Sequence, residues 1–330
     1  MSVTIYDIAK EAGVSASTVS RAINNKDGIH PETKKRILQL LKKYNYFPNE
    51  TARGLVTKAS RMIGILVSDI RTMHHTVSAY FIERELAKQG YCCIIFNTGP
   101  EDEVRTDYIQ ILKRRRVEGA ILIGSTFQTE AIKEAISKYL NDVPVVIVNG
   151  YLDLPNVYGV LADEMNGVSD CVKLWYSKGH KNLAFVIDLH TPSNELKMLG
   201  FEQGLRNMGD KRAPLIWECE SSLQGAYEAT KKLMEEHPEV DGIIYAVDLL
   251  AAGGVRALTD MGIAIPEQVS VIGIDNSIYG EICNPRLTSL DNKLMDLSIS
   301  SARILMDALQ KQLTTKKILV FSSIVERETT

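Results

Sequence analysis

The spacing of hydrophobic residues changes near residue 60. Before that point, short stretches have apolar residues three and four positions apart, as in amphipathic helices. After it, continuous apolar runs alternate with longer stretches that have helical spacing. A run of about five apolar residues is typical of a strand buried in a parallel sheet. The predicted strands span residues 63–67, 92–96, 119–123, 143–148, 183–187, 242–246 and 269–274.

The stretches between these strands predict helices. Several end at a glycine, as at Gly90, Gly209 and Gly262, which suits a left-handed C-terminal cap. The predicted helices span residues 78–89, 106–115, 163–177, 195–208, 225–236 and 249–261. Strict alternation of strand and helix predicts an α/β protein with doubly wound parallel sheets. The strands are too many for one small sheet, so we expect two lobes with a cleft at the carboxyl ends of their strands.

The segment before residue 48 predicts three short helices. Thr4 can cap the first, Gly13 permits a tight turn, and Ser15 can cap a second helix that runs to about residue 24. Two short helices joined by such a turn form a helix-turn-helix. A third helix is predicted to begin at Pro31 and to bury one face. The apolar residues of that face are Ile37, Leu38, Leu40, Leu41 and Tyr44.

The second helix is predicted to present small side chains and one arginine outward. Ala16, Ser17 and Ser20 let it lie deep in a DNA major groove, where Arg21 can donate two hydrogen bonds to a guanine edge. The distribution of charge agrees, because residues 1–60 carry ten basic and five acidic residues although the whole chain has a net charge of −3. A basic head on an acidic body indicates that the head binds a polyanion.

Other features exclude several classes of protein. No apolar run reaches the roughly 18 residues of a membrane span, and the first 20 residues lack the pattern of a secretion signal, so we expect a cytoplasmic protein without a membrane partner. Five cysteines without metal-ligand spacing predict reduced thiols and no metal site. The sequence contains no phosphate-binding glycine loop and no nucleophile motif, so we expect neither an enzyme nor a cofactor.

One segment resembles a known family closely. TIYDIAKEAGVSASTVSRAIN at 4–24 resembles the head of the LacI–GalR (lac repressor) family, and YFPN at 46–49 with ARGL at 52–55 is similar to its hinge. IPEQVSVIGIDN at 265–276 and NPRLTSL at 284–290 are similar to parts of its periplasmic-binding-protein-like core. The resemblance implies three parts. They are a helix-turn-helix domain at 1–48, a hinge helix and linker at 49–60, and an effector-binding and dimerisation domain at 61–330.

The resemblance also implies a DNA-binding role for particular residues. The residues that read bases are Ala16, Ser17 and Arg21. Those that contact phosphates or cap helix ends are Thr4, Thr18, Ser20 and Asn24. The hinge residues that contact DNA are Asn49, Ala52, Arg53 and Leu55. In the family the hinge helix forms on operator DNA, where the leucine wedges into the minor groove and kinks the duplex.

The implied assembly is a homodimer on palindromic operator DNA, controlled by a small molecule in the cleft between the lobes. We expect a repressor of carbohydrate-related genes, with an activator as the alternative. A solute-binding protein of a transporter shares the core fold, but it would carry a secretion signal and lack the helix-turn-helix. The sequence leaves open whether the small molecule releases the operator or strengthens binding to it.

The family's ligand-binding positions are matched unevenly. Asp248 and Asp275 are retained, whereas Lys197 replaces an arginine and Asn292 replaces a glutamine. The usual aromatic residue near 221–223 is missing. The candidate effector-binding residues are His74, His75, Ser125, Asn149, Ser193, Lys197, Asp248, Asp275 and Asn292.

These departures favour a sugar phosphate or a sugar acid over a plain sugar. A cationic Lys197 together with His74 and His75 suits an anionic metabolite. Each of the three can instead be a solvated or packing residue. In a further alternative, the cleft binds no ligand tightly and a protein corepressor controls the regulator.

Overall fold

The computed structural model describes residues 3–23, 25–46, 60–312 and 315–330 of the chain. Its contacts separate residues 1–60, here called the head, from residues 61–330, here called the core. The described part of the head contains α-helices only, and the core contains both sheets. The helices of the head are α1 (Ile5–Ala12), α2 (Ala16–Ile23) and α3 (Pro31–Lys43).

The start and the end of α1 form as predicted. The Thr4 hydroxyl oxygen accepts a hydrogen bond from the Asp7 N–H at 3.4 Å, and the Asp7 carboxylate accepts one from the Thr4 N–H at 2.8 Å. These contacts form a capping box, which satisfies two N–H groups at the helix start. Gly13 ends α1 with a φ of 64°, and its N–H donates to the carbonyls of Ala9 and Lys10. The turn that follows places α2 against α1, which confirms the helix-turn-helix.

A small apolar core joins the three helices of the head. Ile8, Val19 and Ile37 are fully buried within it, with Ala12 beside them. One predicted member is wrong, because Leu38 is 47% exposed. Successive residues of a helix point about 100° apart, so the inward position of Ile37 turns its neighbour toward solvent.

The core alternates strand and helix along the chain. Its helices are α4 (Met73–Ala87), α5 (Asp102–Arg115), α6 (Glu130–Tyr139), α7 (Glu164–Lys178), α8 (Pro192–Asn207), α9 (Leu223–Glu236), α10 (Asp248–Asp260), α11 (Ile278–Ile282) and α12 (Leu294–Leu309). Its strands are β1 (Met62–Val67), β2 (Cys92–Asn97), β3 (Gly119–Ile123), β4 (Val145–Val148), β5 (Val157–Ala162), β6 (Leu183–Ile187), β7 (Leu215–Glu218), β8 (Gly242–Tyr245), β9 (Ser270–Ile274), β10 (Thr288–Asp291), β11 (Lys317–Val320) and β12 (Ser323–Val325).

The strands form two six-stranded sheets, one in each lobe. The first sheet has the order β11-β5-β4-β3-β1-β2 and is parallel throughout. The second has the order β12-β10-β9-β8-β6-β7 and is parallel except for β12, which pairs antiparallel with β10. Helices cover both faces of each sheet, so neighbouring residues such as Ile65 and Leu66 are both fully buried, on opposite faces.

The chain crosses between the lobes three times, namely between β5 and α7, between β10 and α12, and between β11 and β12. The loops at the carboxyl ends of the strands of both sheets therefore face one cleft. This arrangement confirms the prediction of two lobes with doubly wound sheets. All seven predicted strands are present, with ends shifted by at most two residues. The prediction missed β5, β7, β10, β11 and β12, and the helices α6, α11 and α12.

The described residues also bear on membrane and metal binding. Within them, no helix combines the length and the apolar character needed to cross a membrane. In the same part of the chain, no group of three or more His, Cys, Asp or Glu residues is arranged to hold a metal ion. All five cysteines are free thiols.

Candidate DNA interface and effector cleft

The outer face of α2 carries short side chains around one long one. Ser17 and Arg21 are exposed on this face. The half-buried members are Ala16, Thr18 and Ser20. Ser15 precedes the helix, and its hydroxyl oxygen accepts from the Thr18 N–H at 3.2 Å, which caps the first turn. The short neighbours leave Arg21 as the side chain of α2 that reaches farthest toward a partner.

Predicted contact residues take part in local hydrogen bonds with side chains, among them Thr4, Thr18 and Ser17, whose hydroxyl lies 2.7 Å from that of Ser15. The Thr4 hydroxyl donates to the Asp7 carboxylate at 2.7 Å, so Thr4 has the capping role that the family resemblance allowed. The Thr18 hydroxyl is 2.9 Å from that of Ser15. Five other predicted DNA contacts lie outside the described residues and stay predictions. They are Asn24, Asn49, Ala52, Arg53 and Leu55.

A cavity of about 1360 Å³ lies in the cleft between the lobes. It is lined by residues that directly follow strands of both sheets, as a ligand site in a doubly wound fold requires. Eight of the nine predicted effector-binding residues line it. They are His74, His75, Ser125, Asn149, Ser193, Lys197, Asp248 and Asp275.

Lys197 and Glu164 form a buried ion pair beside this cavity. The Lys197 Nζ lies 3.6 Å from the Glu164 Oε1, and the two side chains are only 5% and 2% exposed. The ammonium also donates to the carbonyl oxygen of Ala246 at 2.9 Å and to the Oδ1 of Asn194 at 3.2 Å. The interpretation of Lys197 as a solvated helix residue is therefore wrong. Its charge is already paired inside the protein.

The two oxygens of Glu164 have different surroundings. Oε1 accepts from the Ser193 hydroxyl at 2.7 Å, whereas Oε2 is buried and has no hydrogen-bond partner among the described residues. Burial raises the pKa of Glu164, and the charge of Lys197, the Ser193 hydroxyl and the nearby Asn149 side chain oppose that rise. A buried polar atom without a partner costs about 1–3 kcal/mol. A donor that reached this atom would remove the cost.

Asn292 lies behind the cavity wall, so its predicted place in the lining is wrong. Its Nδ2 donates to the Glu164 Oε1 at 3.4 Å and to the Asp275 Oδ1 at 3.3 Å, and its Oδ1 accepts from the Ser322 hydroxyl at 2.9 Å. These bonds use both N–H groups of the amide and one of the two acceptor positions of its oxygen. Glu164, Asn292 and Ser322 belong to the three crossings between lobes, so one side chain joins all three.

Asp248 is a second buried carboxylate. Its Oδ1 accepts from the Ser289 hydroxyl at 2.6 Å, and its Oδ2 accepts from the N–H and the hydroxyl of Ser277 at 2.6 and 2.8 Å. Burial raises the pKa of Asp248 to about 7, and the neighbouring charge of Asp275 adds to the rise, although the serine hydrogen bonds lower it. This carboxyl group therefore keeps its proton to a higher pH than an exposed aspartate does.

The predicted positive charge of the cleft is wrong. Burial lowers the pKa of His74 to about 4 and lowers that of His75, so both are neutral near pH 7. The lining holds four basic side chains, not counting histidine, and seven acidic ones. Each of the four basic side chains has a carboxylate partner. The pairs are Arg71–Asp69, Arg105–Asp102, Lys197–Glu164 and Lys293–Asp291.

Comparison with known families decides the identity of the core. A family model described as periplasmic binding proteins and sugar binding domain of LacI family matches residues 60–320. The chain belongs to the LacI family. A second model, bacterial regulatory proteins of the lacI family, matches residues 4–49. An HTH-type transcriptional regulator of Lachnoclostridium phytofermentans is 32% identical over 332 residues, which cover 99% of each protein.

Solved structures of LacI-family proteins have the same fold. The lac repressor dimer bound to operator and the anti-inducer ONPF is similar with a TM-score of 0.91 and 23% identity, covering 100% of this chain and 99% of that one. A LacI family transcriptional regulator from Enterococcus faecium with bound ribose is similar with a TM-score of 0.73 and 27% identity, covering 82% of this chain and 98% of that one. The present LacI-family protein is thus a DNA-binding transcriptional regulator and not an enzyme.

Sequence reasoning missed several residues that line the cleft of this LacI-family protein. Glu164 was missed because it follows β5, a strand that the hydrophobic pattern did not predict, so the rule that strand ends meet at the cleft was not applied to it. Phe81 on α4 and Tyr279 on α11 also line the cavity. The cleft therefore has aromatic walls, but they come from segments other than 221–223.

Proposed function

We propose that this LacI-family regulator represses transcription as a homodimer on palindromic operator DNA, under the control of a polyhydroxylated effector bound in the cleft. The observation that carries the proposal is the polar floor of the cavity between the lobes, in a chain that also has a helix-turn-helix. The operator-bound lac repressor dimer supports the assembly, and the ribose-bound relative supports the sugar class. Because DNA is the proposed partner, we propose that the protein acts in the cytoplasm.

The backbone of the floor supports ligand binding. Asn149 and Asp275 line the cavity with φ angles of 56° and 102°, which are rare for residues with a side chain. Such strain costs of order 1–3 kcal/mol and is concentrated at functional sites. The Asp275 Oδ1 accepts from Asn292, which orients the carboxylate and leaves Oδ2 to accept sugar hydroxyls. Carboxylate and amide groups in this arrangement suit a polyol.

The size of the cavity supports a cleft that closes on its ligand. Small-molecule pockets occupy roughly 300–1,000 Å³, which is less than the volume observed here. The Ser193 N–H already donates across the cleft to the Ser125 hydroxyl at 3.1 Å. A ligand that contacts both lobes adds to this bond, and we propose that the resulting closure is linked to operator binding by the head.

The head supplies the contacts with DNA in this proposal. Arg21 reads a guanine from the outer face of α2, while Ser17 and its small neighbours permit close approach. Leu55 wedges into the minor groove and bends the operator, as the sequence resemblance implies. Leu55→Ala is expected to weaken operator binding and to reduce bending measured by the mobility of circularly permuted fragments. Unchanged bending would remove the wedge.

The experiment that tests the proposal starts from DNA. Selection of duplexes from a random pool by the purified full-length protein is expected to yield a palindrome. Thermal-shift screening against hexoses, pentoses and their phosphates is then expected to yield a ligand that changes affinity for that palindrome. A reporter gene behind the site distinguishes repression from activation. Failure to prefer any duplex over a scrambled one, with every screened sugar present, would overturn the proposal.

A further inference from the structure

The charges of the cleft carry information about the ligand beyond its hydroxyl groups. Every basic side chain of the lining is already paired, but four of its carboxylates lie within 4 Å of no basic group among the described residues. They are Asp188, Asp248, Asp275 and Asp296. Even with Asp248 protonated, acidic groups outnumber basic ones. Removal of water by a closing cleft makes such an imbalance more costly.

The carboxylate of Glu164 has one oxygen that lacks a hydrogen-bond donor among the described residues. The residue is 2% exposed and lines the cavity, and its Oε2 is buried without a hydrogen-bond partner among the described residues. Its other oxygen already accepts from the Ser193 hydroxyl and the Asn292 amide and forms the ion pair with Lys197. The missing donor is thus specific to one oxygen atom and is independent of the overall charge imbalance.

From these two observations we infer that the effector is an aminated sugar, whose ammonium group donates to the Glu164 Oε2 while its hydroxyls bind Asp275. The inference rests on the proposed control by a ligand in the cleft and narrows its class. A neutral hydroxyl satisfies the oxygen but leaves the excess negative charge. A phosphate or a carboxylate adds to that excess, and no unpaired basic side chain lines the described part of the cavity to receive it.

The test compares sugars that differ in one group. D-glucosamine, D-galactosamine and D-mannosamine are each compared with the parent hexose, the N-acetyl derivative and the hexose 6-phosphate, by calorimetric titration of the full-length protein near pH 6.5. At least one amine is expected to bind about tenfold or more tightly than its parent and its N-acetyl form, because a hydrogen bond between charged groups is stronger than one between neutral groups. Added salt is expected to reduce this preference.

Variants assign the preference to one residue. Glu164→Gln keeps the shape of the side chain and is expected to remove the tenfold preference, whereas Asp170→Asn makes the same charge change on the exposed side of α7 and is expected to leave it intact. If Glu164→Gln does not fold, the double variant Glu164→Gln/Lys197→Met removes both buried charges and is expected to lose the preference in the same way.

The outcomes separate this inference from the proposed function. Suppose that a neutral hexose or a sugar phosphate binds most tightly and that Glu164→Gln does not change its affinity. This result would overturn the inference of an aminated sugar, but the proposed control by a sugar would remain. A panel in which no aminated sugar binds also overturns it. If no compound of any class binds while the protein still selects an operator, the proposed control by a cleft ligand falls together with the inference.

Discussion

The Lys197 ammonium and the Glu164 carboxylate lie 3.6 Å apart at the side of the cleft, and both are almost fully buried. Two charges in such a place cost desolvation energy that their attraction only partly returns. The pair therefore contributes little net stability as a pair. Removing one partner is different, because it leaves an uncompensated charge in a buried site.

We expect Lys197→Met to lower the free energy of unfolding by about 3–5 kcal/mol, because it leaves Glu164 unpaired. Lys232→Met is the matched control, since Lys232 lies the same 3.6 Å from Glu236 but on an exposed helix surface. Its effect is expected to stay within about 0.5 kcal/mol. Urea denaturation at pH 7 measures both, and equal losses would show that burial does not matter here.

The double variant Lys197→Met/Glu164→Gln completes this prediction. It removes both charges and keeps side chains of similar volume, so it is expected to recover most of the stability that Lys197→Met loses. The same denaturation curves measure the recovery. A double variant as unstable as Lys197→Met would mean that the packing of Lys197, and not its charge, holds this part of the core.

Asn292 is expected to control the coupling between ligand and DNA. Asn292→Ala removes the bonds that join two of the crossings, at Glu164 and Ser322, to its own crossing and to Asp275, so ligand binding and lobe closure become less tightly linked. We expect the ratio of operator affinities with and without the bound sugar to move toward one, from a typical coupling of about 5- to 150-fold. Fluorescence anisotropy with a labelled operator measures this ratio.

Asn292→Gln serves as the control for this variant, because it keeps the amide and has the side chain that is usual in the family. It is expected to retain most of the coupling. A ratio that is unchanged in Asn292→Ala would show that the crossings move independently of this side chain. Loss of operator binding in the absence of any sugar would point instead to a general loss of structure, which the melting temperature of the variant reveals.

The parts of the fold that the sequence predicts are those with one-sided or fully apolar patterns. The strand β3 is buried on both faces and its bounds are predicted to the residue, because a run of about five apolar residues is typical of a strand buried in a parallel sheet. The strand β10 reads Thr-Ser-Leu-Asp and was missed, since its two hydroxyl groups are satisfied by distant residues: that of Thr288 lies 2.8 Å from the Thr330 hydroxyl, and that of Ser289 donates to Asp248. Such pairing over 40 residues of sequence has no local pattern.

The candidate site was likewise predicted in part: the positions of its lining residues were predicted, but their charge states were not. The lining positions were found because the ends of parallel strands meet at a cleft, which places Asn149 and Asp275 without any knowledge of their contacts. The charge states of the cleft residues could not be predicted from residue types alone. Lys197 pairs with Glu164, and burial neutralises His74, and both effects depend on neighbours that are more than 30 residues away along the chain.

Asp248 predicts a pH dependence of stability. Its pKa is about 7 in the folded protein against an ordinary value of 3.8. Below about pH 4 the group is protonated in both states. Between about pH 4 and pH 7 the unfolded chain releases the proton while the folded protein keeps it, so this residue lowers the free energy of unfolding as pH rises. Above about pH 7 both states are ionised and the slope ends.

Asp248→Asn is expected to remove this slope. The free energy of unfolding of the variant, relative to the wild type, is expected to rise from about pH 4 to pH 7 and then to stay level. Urea denaturation at several pH values measures the difference, and Asp170→Asn, an exposed carboxylate on α7, is expected to give a flat difference. Parallel curves for wild type and Asp248→Asn would show that Asp248 ionises in the folded protein as it does in water.

Arg21 tests the reading of bases by the head. Its side chain is exposed on the outer face of α2, beyond the short side chains of Ser17 and Ser20. If it donates to one guanine, Arg21→Ala is expected to cost roughly 1–3 kcal/mol of discrimination at one base pair and little elsewhere. Affinities for operators changed at each position in turn measure this discrimination.

Lys35→Ala serves as the control, because it removes the same charge from α3 and is expected to weaken binding to all duplexes alike, if at all. Because a phosphate contact has no dependence on sequence, equal losses of Arg21→Ala on operator and scrambled DNA would assign Arg21 to the backbone, and the specificity of α2 would then rest on shape alone.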